Sequence, residues 1–350
     1  MTKRAVESQH FRDLVSNMTL DTDQTTLHIR CGSDIQPLLR ASGFVADYLE
    51  VSDPVCQGPV RRGDDWLEHR AQFLASAYGP SLNRSLDEIA AGLKRADRDL
   101  CAAASLYARI VLWFEHDSYD QLILARCLAQ FAATPPARLE LVQVNDYPGV
   151  ARFIGLGQLP CEAFPALWAS RRPVPRAQIA AGTRVWRMLR SPDPSPLAAA
   201  ARVGVRHLPL MGAALRRHCQ EFPWTADGLS LTERLVLQLL AERPCTMREI
   251  FRALQEGREP LPFLGDTMLR FVVESMKRVD QQVFTAAFER EGEPWCRERF
   301  TITDMGLAVL KGEVDFLSLR PPPRYLGGVT ISMSAPGWRW DERAGTLMRT

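Results

Sequence analysis

The stretch Arg109-Ile110-Val111-Leu112-Trp113-Phe114-Glu115-His116-Asp117-Ser118-Tyr119-Asp120-Gln121 passes in one step from an apolar run to a cluster of polar, chelating side chains. Ile110 to Phe114 offers no polar face, which predicts a central strand of a parallel sheet covered by helices on both sides. Glu115, His116, Asp117, Asp120 and Gln121 then stand at its carboxyl end, where open α/β sheets bind their ligands.

Outward from this strand, the alternating Thr26 to Arg30 segment predicts another strand. It leads through Gly32 into a helix carrying Ile35, Leu38 and Leu39, with Ser33 or Asp34 as the natural N-cap. Val45 to Val51 predicts a further strand, followed by a Pro- and Gly-containing loop that includes Asp53. Helices are expected over 64–78, 82–104 and 120–132, and a strand over 139–144 that ends in Asn145 and Asp146. This alternation predicts an α/β fold: a Rossmann-like parallel sheet with right-handed crossovers over residues 26–160, behind a polar and flexible segment 1–25. In it Asp34, Asp53, Glu115, Asp117 and Asn145 or Asp146 face one crevice. Gly155 and Gly157 flank a leucine in a loop whose backbone is free to approach a ligand. The Gly-x-Gly-x-x-Gly dinucleotide fingerprint is absent.

Residues 161–227 read as a helical connecting region, interrupted by Pro192, Pro194 and Pro196. From 228 to 318 the pattern is a winged helix-turn-helix. Ser230 and Glu233 form a capping box before Leu235, Leu239 and Leu240. Helical segments follow over 246–255 and 266–279, then strands around Val283 to Phe288 and Phe300 to Thr303, and a closing helix near Met305. The 266–279 helix would be the recognition element, with Arg270, Lys277 and Arg278 facing nucleic acid and Arg290, Arg297 and Arg299 on the wing. Residues 228–350 hold 17 Lys plus Arg against 17 Asp plus Glu, a net charge of zero. Nucleic-acid affinity rests largely on phosphate neutralisation, so the module lacks a bulk electrostatic footprint. Residues 319–350, stiffened by Pro321-Pro322-Pro323, form an extended C-terminal tail.

The 350-residue chain is 46% hydrophobic, enough for a sizeable core, and its net charge of +2 excludes a globally basic nucleic-acid coat. The eight cysteines form no Cys-x-x-Cys pair, so a zinc ribbon is unsupported. With no signal peptide and no apolar run of about 18 residues, a cytoplasmic protein with reduced thiols and no membrane partner is expected.

Several pieces occur together in order: Leu27-His28-Ile29, Gly32-Ser33-Asp34, Gly58-Pro59-Val60, Trp113 to Gln121, Pro148-Gly149-Val150, Gly155-Leu156-Gly157-Gln158, Glu221-Phe222-Pro223 and Leu326-Gly327-Gly328-Val329. In these the chain resembles the bacterial family called domain of unknown function 1835, over most of residues 26–330. The resemblance implies no activity, and Cys31 stands where a polar residue is expected.

Two functions of different class fit these residues. The first is a ligand-responsive regulatory protein, with an anionic, nucleotide-like ligand at the strand ends and a winged helix that reads DNA or docks a partner. The second is a Mg²⁺- or Mn²⁺-dependent phosphoester enzyme, with Glu115, Asp117 and Asp34 as metal ligands and His116 for acid–base chemistry. A purely structural reading makes Asp117 a helix cap, pairs Glu115 with an arginine, and leaves a docking module without catalysis.

Overall fold

The computed structural model describes residues 20–333 and 337–350, so most of the expected flexible segment 1–25 lies outside the described residues. The chain is mixed α/β. Two compact units group within it, one from residues up to 54, 92–116 and 120–184, the other from 55–91, 117–119 and 185 onward.

In chain order the elements begin with β1 (Thr26–Arg30), α1 (Gln36–Ala41), β2 (Asp47–Glu50), β3 (Gly58–Pro59), α2 (Trp66–Ala77), α3 (Gly79–Leu82) and α4 (Leu86–Leu106). They continue with β4 (Arg109–Phe114), α5 (Ser118–Ala133), β5 (Leu139–Gln143), α6 (Phe164–Ser170), β6 (Arg172–Pro173), α7 (Arg176–Leu189), α8 (Ser195–Val203) and α9 (Met211–Cys219). The sheet of the first unit has the order β2-β1-β4-β5-β6. Its first four strands are parallel, and β6 pairs with β5 antiparallel at one edge.

The expected central strand is central: Ile110 to Phe114 are all at 0% exposure, with Leu27 opposite Ile110 on one side and Leu139 on the other. Phe44, Trp113, Phe164 and Trp168 pack edge-on or tilted beneath it. One polar group is threaded through this apolar layer. Trp113 Nε1 donates to His28 Nδ1 at 3.0 Å, which leaves His28 Nε2 to donate to Asp21 Oδ2 at 3.0 Å. Burial lowers the His28 pKa, so the ring stays neutral.

The N-cap of α1 differs from expectation. Ile35 occupies that position with no side-chain cap, because the Asp34 carboxylate is drawn to Arg30 instead.

The second unit contains α10 (Leu231–Glu242), β7 (Cys245–Thr246), α11 (Met247–Ala253), α12 (Asp266–Met276), β8 (Phe284–Ala287), β9 (Arg299–Ile302) and α13 (Asp304–Leu310). β9 is flanked by β7 and β8, both antiparallel to it. The Ser230 capping box forms as expected, with Glu233 N donating to Ser230 Oγ at 3.2 Å and Ser230 N to Glu233 Oε2 at 2.7 Å. Thr246 and Glu249 form a second box at α11. Beyond the triple proline run β10 (Arg324–Gly327), β11 (Val329–Ile331) and the hairpin β12 (Trp338–Asp341) with β13 (Thr346–Arg349). β10 pairs in parallel with β3, Leu326 opposite Gly58 and Gly327 opposite Pro59. Among the described residues no helix is long and apolar enough to cross a membrane, and no cysteine is in a disulfide.

Candidate functional site

β1 ends in Arg30 and β4 runs out at Glu115, so the parallel pairing of these strands brings a buried guanidinium to the acids that follow β4. Arg30 Nε and Nη2 each donate to one oxygen of Asp34, both at 3.0 Å. Nη1 donates to Asp120 Oδ1 at 2.8 Å and to the Trp113 carbonyl at 3.4 Å, and Nη2 also donates to Glu115 Oε1. All five guanidinium N–H groups are thereby used within the chain. Burial works against the charge, but Asp120 and Glu115 hold the Arg30 pKa well above its ordinary value.

The carboxylates are held from their other sides as well. Asp120 Oδ1 accepts from Glu115 N at 2.7 Å, and Asp120 Oδ2 accepts from Cys31 Sγ at 2.9 Å. Burial pushes the Cys31 thiol far up, so it is a protonated donor. Thus Cys31 fills a polar role. Gln121 Nε2 donates to the Glu115 carbonyl, and Leu156 N to Glu115 Oε1. Asp117 Oδ1 accepts from Tyr119 N at 2.7 Å in the first turn of α5, the geometry of a helix cap. His116 is half-buried beside Phe153, its Nδ1 has no hydrogen-bond partner, and burial lowers its pKa.

The loop glycines also have their explanation here. A Cβ on Gly155 would lie 2.9 Å from Glu115 Oε2, and one on Gly157 would lie 2.9 Å from Asp34 Oδ2. The backbone approach that the Gly-Leu-Gly spacing implies is therefore made to the chain's own carboxylates.

Other expected members lie elsewhere or play other parts. Asp53 faces Arg126 at 3.8 Å, and Arg126 also holds Asp97 at 3.1 Å. Asn145 and Asp146 are exposed, as is Ser33. Gly32 serves through its carbonyl, which accepts from the Tyr48 hydroxyl. The structure thus gathers Asp34, Glu115, Asp120 and Gln121 around Arg30. Glu115, Asp117 and Asp120 each offer an oxygen within 4.8 Å of the others, the set of side chains here with the chemistry to hold a divalent cation.

Of the expected nucleic-acid contacts, three make bonds inside their own unit. Arg270 donates to Ser81 Oγ at 3.0 Å and stacks over Trp295. Lys277 bonds Glu274 at 2.8 Å and Glu298 at 2.7 Å. Arg299 bonds Glu289 at 3.0 Å. Arg278 and Arg297 are exposed. The α12 face expected to be open instead meets α2 and the residues after it: the Phe271 ring lies 5.4 Å from Phe73 and 6.1 Å from Tyr78.

The role of Arg30, and the packing of the expected 64–78 helix against α12, did not follow from the sequence. Alternation along Thr26 to Arg30 carried no signal for the first, since the burial of β1 on both faces is seen only in the structure. Compared with protein-family models and with curated proteins, the chain has no match.

Proposed function

We propose that the chain is a ligand-responsive regulatory protein. Residues 228–318 act as a winged helix-turn-helix that reads DNA or docks a partner, and a Rossmann-like domain carries an acidic, Arg30-centred site at its strand ends. The observation that supports this reading is the order helix, strand, helix, helix, strand, strand, helix, with β7 and β8 both paired to β9, an order in keeping with a winged helix. The resemblance to the bacterial domain of unknown function 1835 is compatible with it and adds no activity.

The exposed cations Arg278, at the end of α12, and Arg297, between β8 and β9, are the contacts to test. Arg278→Ala with Arg297→Ala should weaken binding to genomic DNA fragments and flatten the slope of log affinity against log salt by about two. An unchanged slope would argue that these residues do not touch phosphate.

A second reading is favoured by the Glu115, Asp117 and Asp120 oxygens: a Mg²⁺- or Mn²⁺-dependent phosphoester enzyme. It replaces the expected Asp34 by Asp120, since the oxygens within 4.8 Å of one another are those of Glu115, Asp117 and Asp120. On this reading millimolar Mg²⁺ or Mn²⁺ raises the melting temperature of the wild type, and Asp117→Asn abolishes that rise. A melting temperature that ignores both metals sinks the enzyme reading and leaves Asp117 as the cap of α5.

A further inference from the structure

Within the second unit, α2, α12 and the segment Pro322 to Tyr325 wall a groove of 370 Å³, a size that accommodates a small organic ligand. Its chemistry is unlike the rest of the unit. Arg61, His69, Arg278 and Arg324 line it, and no aspartate or glutamate does. The unit as a whole holds 27 Lys plus Arg against 26 Asp plus Glu, so this is a local concentration of positive charge. Phe73, Phe271 and Tyr325 supply aromatic surface among the cations, with the Arg61 guanidinium 5.3 Å from the Tyr325 ring centre.

Two of the four cations are free of internal ion pairs. Among the described residues, Arg61 and Arg278 have no ion-pair partner, and His69 is held at one nitrogen by Asp65 at 3.1 Å. Arg324 donates through Nη1 to Glu233 at 2.6 Å, while its buried Nη2 has no hydrogen-bond partner. Beyond Phe73, Phe271 and Arg324 a smaller cavity of about 50 Å³ continues, lined by Val272, Leu317, Leu326 and Ile331 together with Glu221 and Glu233. Those two carboxylates repel an anion, which assigns the anionic end of a ligand to Arg61 and Arg278 and its uncharged ring to the aromatic stretch.

We propose that this groove binds a nucleoside monophosphate, the phosphate held by Arg61 and Arg278 and the base stacked among Phe73, Phe271 and Tyr325. The site is separate from the Arg30 cluster and does not depend on whether the chain binds DNA.

Calorimetric titration of the full chain with the four common ribonucleoside monophosphates tests it, with inorganic phosphate and the unphosphorylated nucleosides as separate arms. At least one monophosphate should bind saturably, at least tenfold more tightly than phosphate or its own nucleoside. Arg61→Ala with Arg278→Ala, both exposed positions, should weaken it tenfold or more while leaving the melting temperature of the unliganded protein in place. No saturable binding by any monophosphate at millimolar concentration would overturn the proposal. So would equal binding of phosphate alone, or binding indifferent to both substitutions.

Discussion

Arg30 shows how a single residue changes the meaning of its neighbours. Read along the sequence, Asp34, Glu115 and Asp120 are an excess of negative charge awaiting a cation; in the structure a guanidinium from the next strand is that cation. The acids were legible because they cluster just past an apolar strand. Their partner was not, because alternation along Thr26 to Arg30 gives a terminal arginine the choice of snorkelling to water. Burial on both sides of β1 removes that choice. Removing the charge while keeping the bulk, as in Arg30→Met, leaves buried carboxylates uncompensated and should cost about 3–5 kcal/mol in denaturant-induced unfolding. A loss below about 1 kcal/mol would mean that the acids do not depend on Arg30.

At the scale of elements, length decided what could be read. The apolar run of β4, the helices α4 and α5, and the Ser230 capping box each carry their signal within a few residues. The strands β3, β6 and β7 are two residues long and exist only because a distant segment pairs with them. No local pattern can announce such a strand. The 155–158 loop lies between these cases: its glycines are visible, but what they make room for is not. Gly155 has an extended backbone, so an added methyl meets no torsional strain, only the Glu115 carboxylate. Gly155→Ala should therefore cost about 1–3 kcal/mol through overpacking. The comparison is Gly92→Ala, within α4 and facing open space, which should be neutral or stabilising by up to about 1 kcal/mol. Equal stability of the two variants in thermal or denaturant melts would remove the loop from the site.

For the whole molecule, the α/β class and the centrality of β4 followed from the order of apolar periodicities, since each helix and strand could be ranked by its own pattern. The grouping of residues 55–91 with the C-terminal unit did not follow. It depends on β3 pairing with β10, and on Phe73 and Tyr78 meeting Phe271, contacts that pair residues far apart in the chain. The same packing brings Ser81 to Arg270, while Lys277 is held by Glu274 and Glu298, leaving Arg278 and Arg297 to the solvent. The most direct measurement is fluorescence anisotropy of the intact chain titrated onto labelled genomic DNA fragments at about 50 and 200 mM salt. A winged-helix regulator should bind at the lower salt and lose at least about tenfold in affinity at the higher, as two or more phosphate contacts release their counterions. No binding at the lower salt, or an affinity that does not change with salt, would contradict the account.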